Sequence, residues 1–405
     1  MSATLFYVAW KYNSLNVKIF AAFFFAYYFI PLPNISTYRG TITYKTLQIY
    51  TLMLLIGIFP LLFRIKKRHK IIKKRRIKIS LLFKAIVSIH LFIVYVVLFY
   101  IYAKYGPVLL YQELRFQVPA SLGYLVKSSI YIPLFIFFIN REKTTLLTIF
   151  KYGILPLIPA LFIGSRGTVI LIVISVAMLL IMVKTELGES YSLKNSEIWN
   201  KYKKYVYSLG LTSLLILHLF YYTRRIFSNR LVSNLQIVKT YFNSNSYFFL
   251  LILPLYTSFR ETIGIANSLI KSEVHNNVTN YPLFFSELIT VLPGEQPAPG
   301  QIVGQIIGKK LEGGLTPNIM GGLYLDFGWY TIFGCVFFVL TIKYFYSKSF
   351  YNEYYKVLYV ISITQFFHLF HRGFMKPEYL VSYAIILAYF LITRIKVNKI
   401  QRLDI

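Results

Sequence analysis

TLQIYTLMLLIGIFPLLF (Thr46–Phe63) runs into RIKKRHKIIKKRRIK (Arg64–Lys78) and then into ISLLFKAIVSIHLFIVYVVLFYIYA (Ile79–Ala103). A hydrocarbon core of roughly 30 Å takes about 20 helical residues, so each apolar run is long enough to cross or nearly cross it. Between them lie ten Lys/Arg in fifteen residues and no acid. Lysine and arginine are retained on the cytoplasmic side, so this stretch is a pair of membrane helices joined by a cytoplasmic loop. The rest of the chain has the same character. Of 405 residues 57% are hydrophobic and 19% aromatic, while 44 Lys+Arg face 14 Asp+Glu for a net charge of +30. The charge alone would suit a nucleic-acid-binding protein, but the apolar fraction does not, and no nucleic-acid partner is expected. Cys335 is the only cysteine and lies in an apolar run, which leaves neither a disulfide framework nor a cysteine metal site. Soluble enzyme, secreted mini-domain and zinc protein are excluded. Met1–Asn16 lacks the charged start of a cleavable signal.

Working outward, apolar segments read as an all-α polytopic membrane protein of about ten transmembrane helices. They fall near Val17–Pro33, Thr46–Phe63, Ile79–Ala103, Leu122–Ile139, Thr145–Gly164, Thr168–Val183, Tyr205–Tyr222, Trp329–Tyr346, Val357–His371 and Tyr379–Thr393. Counting from the basic loop puts Arg141–Lys143, Lys184–Lys204, Lys348–Lys356 and the Arg394–Arg402 tail inside, and each of these is basic. The organisation expected is a membrane bundle over 1–222, one large external loop over 223–328, and a second bundle with a cytoplasmic tail over 329–405. A loop of about a hundred residues is usually functional. Within it SYFFLLILPLYTSF (Ser246–Phe259) is apolar but short and interrupted by Pro254, so it reads as a re-entrant or interfacial helix.

Eight of the fourteen acids fall on the external side: Glu113, Glu261, Glu273, Glu287, Glu295, Glu312, Asp326 and Glu378. Arg115, Arg166, Arg224, Arg225, Arg260 and Arg372 fall there too. A guanidinium presents a fixed fork of donors suited to phosphate, so a lipid diphosphate at the outer leaflet is the ligand such a set fits. The plain alternative is that these arginines anchor helix ends in headgroups. Four places favour the ligand. Gly164-Ser165-Arg166-Gly167 sets a cation in a tight turn between glycines, Arg224 and Arg225 open the loop, and Arg260-Glu261 pairs a phosphate-type donor with a candidate general base. The fourth is Gly313-Gly314-Leu315-Thr316-Pro317 followed by Gly321-Gly322-Leu323-Tyr324-Leu325-Asp326-Phe327-Gly328. Glycines that dense allow close approach of backbone to ligand, or of one helix to another. His368 and His371 stand three apart beside Arg372 and share a helical face, but no acidic partners lie near in sequence, so no metal and no cofactor is assigned. P-loop, Rossmann, HExxH and GxSxG patterns are absent from the sequence.

With GSRG (Gly164–Gly167) between two mid-chain spans, a single large outer loop in the C-terminal half, and GGLTP…GGLYLDFG (Gly313–Gly328) leading into the next span, the chain resembles the Wzy-type O-antigen and capsule repeat-unit polymerases of bacteria. The architecture covers nearly the whole chain and the motifs about twenty-five residues of it. The resemblance implies an integral-membrane glycosyltransferase in the bacterial inner (cytoplasmic) membrane with its active site facing the periplasm. Such an enzyme polymerises undecaprenyl-diphosphate-linked oligosaccharides into O-antigen or capsular polysaccharide without a metal. Its partners are the lipid-linked donor and acceptor, membrane lipid, and a polysaccharide chain-length regulator as a candidate. The positions that match the family's pattern are Arg166 in GSRG and the segment Gly313–Gly328. Arg224, Arg225 and Arg260 are assigned to the diphosphate by their placement at loop ends, and Glu261 is the first candidate base. Glu113, Arg115, Thr316, His371, Arg372 and Glu378 are further candidate substrate contacts.

Three rivals share features with this reading. An O-antigen ligase has the same architecture and nearly the same chemistry. A flippase for the same lipid-linked repeat would place charges mid-membrane along a cavity, whereas the charged residues of these spans, such as Lys84, Lys127, Lys151 and Lys343, lie near their ends. A sugar acyltransferase would want a histidine early in the chain, and the first two spans contain none.

Overall fold

The computed structural model describes residues 41–62, 81–111, 117–134, 150–164, 167–169, 242–273, 281–289, 299–308, 315–349 and 354–401, with Tyr27 and other isolated positions such as 218, 238 and 275. Among them there is no strand. In chain order the helices are α1 (Tyr44–Leu62), α2 (Leu81–Tyr105), α3 (Ala120–Lys127), α4 (Ile158–Phe162), α5 (Phe248–Lys271), α6 (Pro299–Ile306), α7 (Asn318–Phe327), α8 (Gly334–Ser349), α9 (Tyr354–Arg372) and α10 (Pro377–Gln401).

Helix α2 shows why this is a membrane protein. It buries Val87, Leu91, Val94, Leu98 and Ile101 at alternating spacings of three and four, the stripe expected of a helix packed on its neighbours. Yet its exposed face carries Ile89, Phe92, Val96 and Phe99. A helix apolar all round with half its surface uncovered is stable against lipid and not against water. By length and composition Lys84–Tyr105 and the run Asn318–Ser349 are fit to cross a membrane. Helix α5 makes a third if its halves, Phe248–Pro254 and Tyr256–Lys271, bent by 45°, count as one span. The described residues therefore display two or three such helices rather than ten. The expected span Val17–Pro33 lies outside the described residues apart from Tyr27, and Thr168–Val183 and Tyr205–Tyr222 lie mostly outside them.

Three expectations change. The segment read as a re-entrant or interfacial helix, Ser246–Phe259, is longer than expected: it opens a 24-residue helix that continues to Lys271, with the bend of a broken span or a re-entrant segment. Pro254 bends it rather than ending it, because proline removes one ladder bond but the later turns still pair. The span expected from Trp329 belongs to a helical run that begins at Asn318. The span expected over Thr145–Gly164 is broken in its described part into a wide turn at Phe150–Ile154 and the short α4. Pro159 has no N–H to give to the Leu155 carbonyl, and the Tyr95 hydroxyl donates to that oxygen instead at 2.8 Å. In hydrocarbon such a replacement donor is what makes a broken helix tolerable.

The chain divides into two compact units. The first comprises Met1–Lys67, Arg230–Tyr344 and Gln365–Pro377, and the second Arg68–Asn229, Phe345–Thr364 and Glu378–Ile405. In the first, α5 packs along α7 over a core that includes Ile265, Leu269, Leu283, Val303, Leu325 and Phe374. Asp326 of α7 accepts the backbone N–H groups of Leu283 and Phe284 at 2.8 and 2.7 Å, fixing that loop to the helix. Asn267 of α5 ties down the start of α1: its Oδ1 accepts from the Thr43 N–H at 2.7 Å and from the Thr46 hydroxyl at 2.9 Å, and its Nδ2 donates to the Thr41 carbonyl at 3.0 Å. In the second unit α2 packs on α3 and α4 through Val94, Leu98, Ile101, Val126 and Ile163. His90, within α2, is held between the Tyr389 hydroxyl at 2.9 Å and the Ser128 hydroxyl at 2.7 Å. The Ser128 hydroxyl in turn donates to the Leu125 carbonyl at 2.6 Å. Every polar atom in that row is satisfied, as a histidine inside an apolar span requires.

Candidate functional site

Five of the candidate residues belong to the first unit: Arg260 and Glu261 on α5, Thr316 before α7, and His371 and Arg372 at the end of α9. Arg260 is fully buried, the largest side chain in the protein to be so among the described residues. Tyr256, one turn earlier on the same helix, places its hydroxyl within interaction reach of the guanidinium. A long basic side chain that anchors in headgroups keeps its charge at the water boundary. Arg260 does not. It is enclosed by protein, the costly arrangement that a charge adopts when it is needed there.

Beside it stands an aromatic enclosure around His371. The Phe259 ring lies 6.2 Å from the imidazole, centroid to centroid, and the Tyr27 ring meets Phe259 edge-on at 4.4 Å and Phe370 at 5.0 Å. The Tyr27 hydroxyl is hydrogen-bonded to His371 Nδ1 at 2.5 Å. Tyr256, Phe259, Arg260 and Ile263 fall on one face of α5, since residues one, three and four apart are separated by about 100°, 300° and 400°. Glu261 falls elsewhere. Two residues on from Phe259, it is turned by about 200° and so occupies the opposite face of the helix from the one packed on His371. The sequence pairing of Arg260 with Glu261 at a loop is thus replaced by a mid-helix position whose two side chains diverge. Glu261 is half-buried.

The glycine motif brings a second piece of the chain to the same place. Thr316 and Pro317 lead into Asn318, which is fully buried with φ +51°, a left-handed conformation that asparagine tolerates better than most residues. Its Oδ1 accepts the Gly321 N–H at 3.1 Å, which settles the orientation of the amide. Its Nδ2 has no acceptor among the described residues. Gly373, directly after Arg372, has φ +87° and touches this turn: a Cβ on it would lie 2.3 Å from the Asn318 carbonyl oxygen. The Thr316–Asn318 turn therefore lies against the end of α9 that carries His371 and Arg372.

Further out on this unit, Lys45 reaches the Glu273 carboxylate and lies 5.9 Å from the centre of the Trp329 ring. The hydrogen bond from Lys45 holds the Glu273 carboxyl below the ordinary carboxylate range. His275 stacks on Tyr324 at 5.8 Å. Lys376 pairs with Glu287 at 3.6 Å.

The remaining candidates part company with this group. Glu378 belongs to the second unit, where Lys127 meets its carboxylate at 3.4 Å and the Tyr131 hydroxyl donates to its backbone carbonyl at 3.3 Å. Glu113, Arg115, Arg166, Arg224 and Arg225 lie outside the described residues. Of the GSRG turn, Gly164 is described, and it adopts φ +72° at the end of α4 as a tight turn requires. Tyr27, Tyr256 and Asn318 were not singled out from sequence. Tyr256 was within reach, four residues before Arg260 in a helical register. Tyr27 was not, being 344 residues from its partner. Among the described residues no three of His, Cys, Asp and Glu converge as metal ligands would.

Fold and site together define a helical membrane protein with a buried arginine set beside a tyrosine-bonded histidine. No protein-family model matches the chain, and no curated protein or solved structure matches it either.

Proposed function

We propose that the protein is a multi-pass glycosyltransferase of the bacterial inner membrane. It joins undecaprenyl-diphosphate-linked oligosaccharide repeat units into O-antigen or capsular polysaccharide at the periplasmic face. About ten spans, with a bundle over 1–222, an external loop over 223–328 and a second bundle over 329–405, form its framework. The observation that supports the reading most is Arg260, fully buried within hydrogen-bonding reach of Tyr256 and next in sequence to the residue packed on His371. A diphosphate leaving group needs fixed positive charge where its own charge develops, and a guanidinium held away from water supplies it without reorganising.

The step balances as a displacement at the anomeric carbon. The acceptor hydroxyl oxygen forms the new C–O bond, the bond from anomeric carbon to diphosphate breaks, and its electron pair leaves with undecaprenyl diphosphate. Arg260 binds the diphosphate oxygens, with Arg372 and, from outside the described residues, Arg166, Arg224 and Arg225 as further donors. Asn318 Nδ2 and the Thr316 hydroxyl offer neutral donors on the neighbouring turn. His371 takes the acceptor proton. It replaces Glu261 in that role because Glu261 lies on the opposite face of α5.

Deletion of the gene tests the reading on gels of surface polysaccharide. Loss of the polymer ladder with a single repeat still attached to its anchor is the expected result. Loss of all surface repeat would indicate a flippase or ligase, and an unchanged ladder would end the proposal. Sidedness has its own check. Externally applied thiol reagent should label a cysteine placed near Asn277 and spare one placed near Lys70 in a background with Cys335 replaced. The reverse pattern would put Arg260 and His371 on the wrong face for this chemistry.

A further inference from the structure

We propose that Tyr27 is a positioning residue that accepts a hydrogen bond from His371 Nδ1–H and so fixes the imidazole in the tautomer whose Nε2 takes the proton. The inference rests on the reading of His371 as the general base, and it concerns a residue from the far end of the chain. Four observations carry it. The Tyr27 oxygen is 2.5 Å from Nδ1, a short contact even for a hydroxyl partner. The Tyr27 side chain is 2% exposed, so water does not compete for that bond. The Tyr27 ring is wedged edge-on against Phe370 and against Phe259, the ring that also meets the imidazole, so the oxygen cannot swing away without disturbing both. And His371 sits in the last turn of α9, two residues before Gly373, whose φ of +87° turns the chain there.

The direction of the bond decides the chemistry. A neutral imidazole carries one proton. If Tyr27 donated its hydroxyl to Nδ1, the ring proton would be on Nε2 and the ring could not accept another there. If Tyr27 accepts from Nδ1–H, the Nε2 lone pair is directed away from the tyrosine, and the imidazolium formed after proton uptake strengthens the same bond. With Nδ1 committed to the tyrosine, proton uptake falls to Nε2. The aromatic enclosure then has a purpose that packing alone does not give: it holds the phenol oxygen at one nitrogen of one ring. A neutral phenol does here the orienting work that a carboxylate does in other base–orienter pairs.

The test uses the full chain, labelled with ¹⁵N-histidine and reconstituted in nanodiscs of phosphatidylethanolamine and phosphatidylglycerol. His371→Gln identifies the His371 resonances by their loss. At neutral pH the wild-type ring is expected to carry its proton on Nδ1, and Tyr27→Phe, which keeps the ring between Phe259 and Phe370, should shift the population towards the Nε2–H form. In cells, Tyr27→Phe should lower polymer per membrane-inserted protein by about tenfold, since orientation of a base is worth part of its full effect. A wild-type ring protonated on Nε2, or a tautomer that Tyr27→Phe leaves unchanged, overturns the proposal. Should Tyr27→Phe fail to accumulate, the wild-type tautomer alone still decides the direction of the bond. If gene deletion leaves polysaccharide untouched, the functional reading falls with the catalytic sense of the inference, while the tautomer measurement separately reports whether the hydrogen bond is as described.

Discussion

Replacing Arg260 by lysine should leave a protein that inserts and accumulates at the wild-type level and yet yields little or no polymer. Removing one well-placed donor to a developing anion typically costs about 10²–10³-fold in turnover, and lysine keeps the charge while losing the planar fork. Alanine is a weaker test. The side chain is fully buried, so truncation opens a void of the kind that costs about 2–5 kcal/mol in a core and removes the partner of the Tyr256 hydroxyl. Methionine separates the possibilities better, since it keeps most of the stem and discards the charge. If Arg260 only ties α5 together, Arg260→Met should retain the polymer ladder once normalised to protein in the membrane. If Arg260 binds diphosphate, Arg260→Met should be as inactive as Arg260→Lys. A ladder of wild-type length in Arg260→Lys would remove the guanidinium from the mechanism.

How much of this could be read beforehand depends on how local each interaction is. Helix α2 was legible because twenty or so apolar residues following a basic run admit one reading, and its bounds Leu81–Tyr105 lie close to those expected. Helix α5 was half legible. The sequence shows its apolar first half, Ser246–Phe259, as a short segment interrupted by Pro254, and reads the polar second half, with Arg260, Glu261, Thr262 and Asn267, as loop. Those polar residues are tolerated in a helix because three of them are buried against protein: Arg260, Thr262 and Asn267 are nearly or fully inaccessible. Asn267 shows what sequence cannot reveal, since its bonds run to Thr41, Thr43 and Thr46, more than two hundred residues away. The same holds for the site. The sequence links Arg260 to Glu261, and His371 to His368 and Arg372, each through its local neighbours alone. That Arg260 and His371 sit on adjacent elements, joined through Phe259 and Tyr27, is a property of tertiary packing with no local signal. Arg260 and Glu261, read as a pair on a loop, stand on a helix, where consecutive side chains are turned about 100° from one another.

The glycine motif gives the last expected result, and the largest effect on stability. Gly322→Ala should prevent the protein from accumulating in the membrane. A Cβ at that position would lie 2.1 Å from the Gly373 carbonyl oxygen, and that atom is backbone, in a residue with φ +87° that cannot rotate out of the way as a side chain could. Helix α7 would have to back away from the end of α9. Overpacking a core typically costs about 1–3 kcal/mol where a side chain can yield, and here none can. Gly321→Ala should be milder. Its Cβ would meet Pro317 Cβ at 2.8 Å and both Cα and Cβ of Ala266 at 2.9 Å, so Ala266→Gly removes one of three close contacts, should restore it only slightly, and should do nothing for Gly322→Ala. Gly123 in α3 serves as the control, for a Cβ there meets nothing within 4 Å. Alanine there should be neutral or slightly stabilising, by about 0.4–1 kcal/mol. Accumulation in the membrane, and thermal midpoints in nanodiscs for the variants that can be purified, give the order. If Gly322→Ala melted with the wild type, the close crossing of α7 on Gly373 would be wrong, and with it the placement of the Thr316–Asn318 turn beside His371 and Arg372. If the order holds, the motif's glycines serve that placement: they set the distance between the turn that carries Asn318 and the helix end that carries the histidine. A variant that still inserts but displaces that turn, such as Gly321→Ala pressing on Pro317, should then lose polymer out of proportion to its loss of stability.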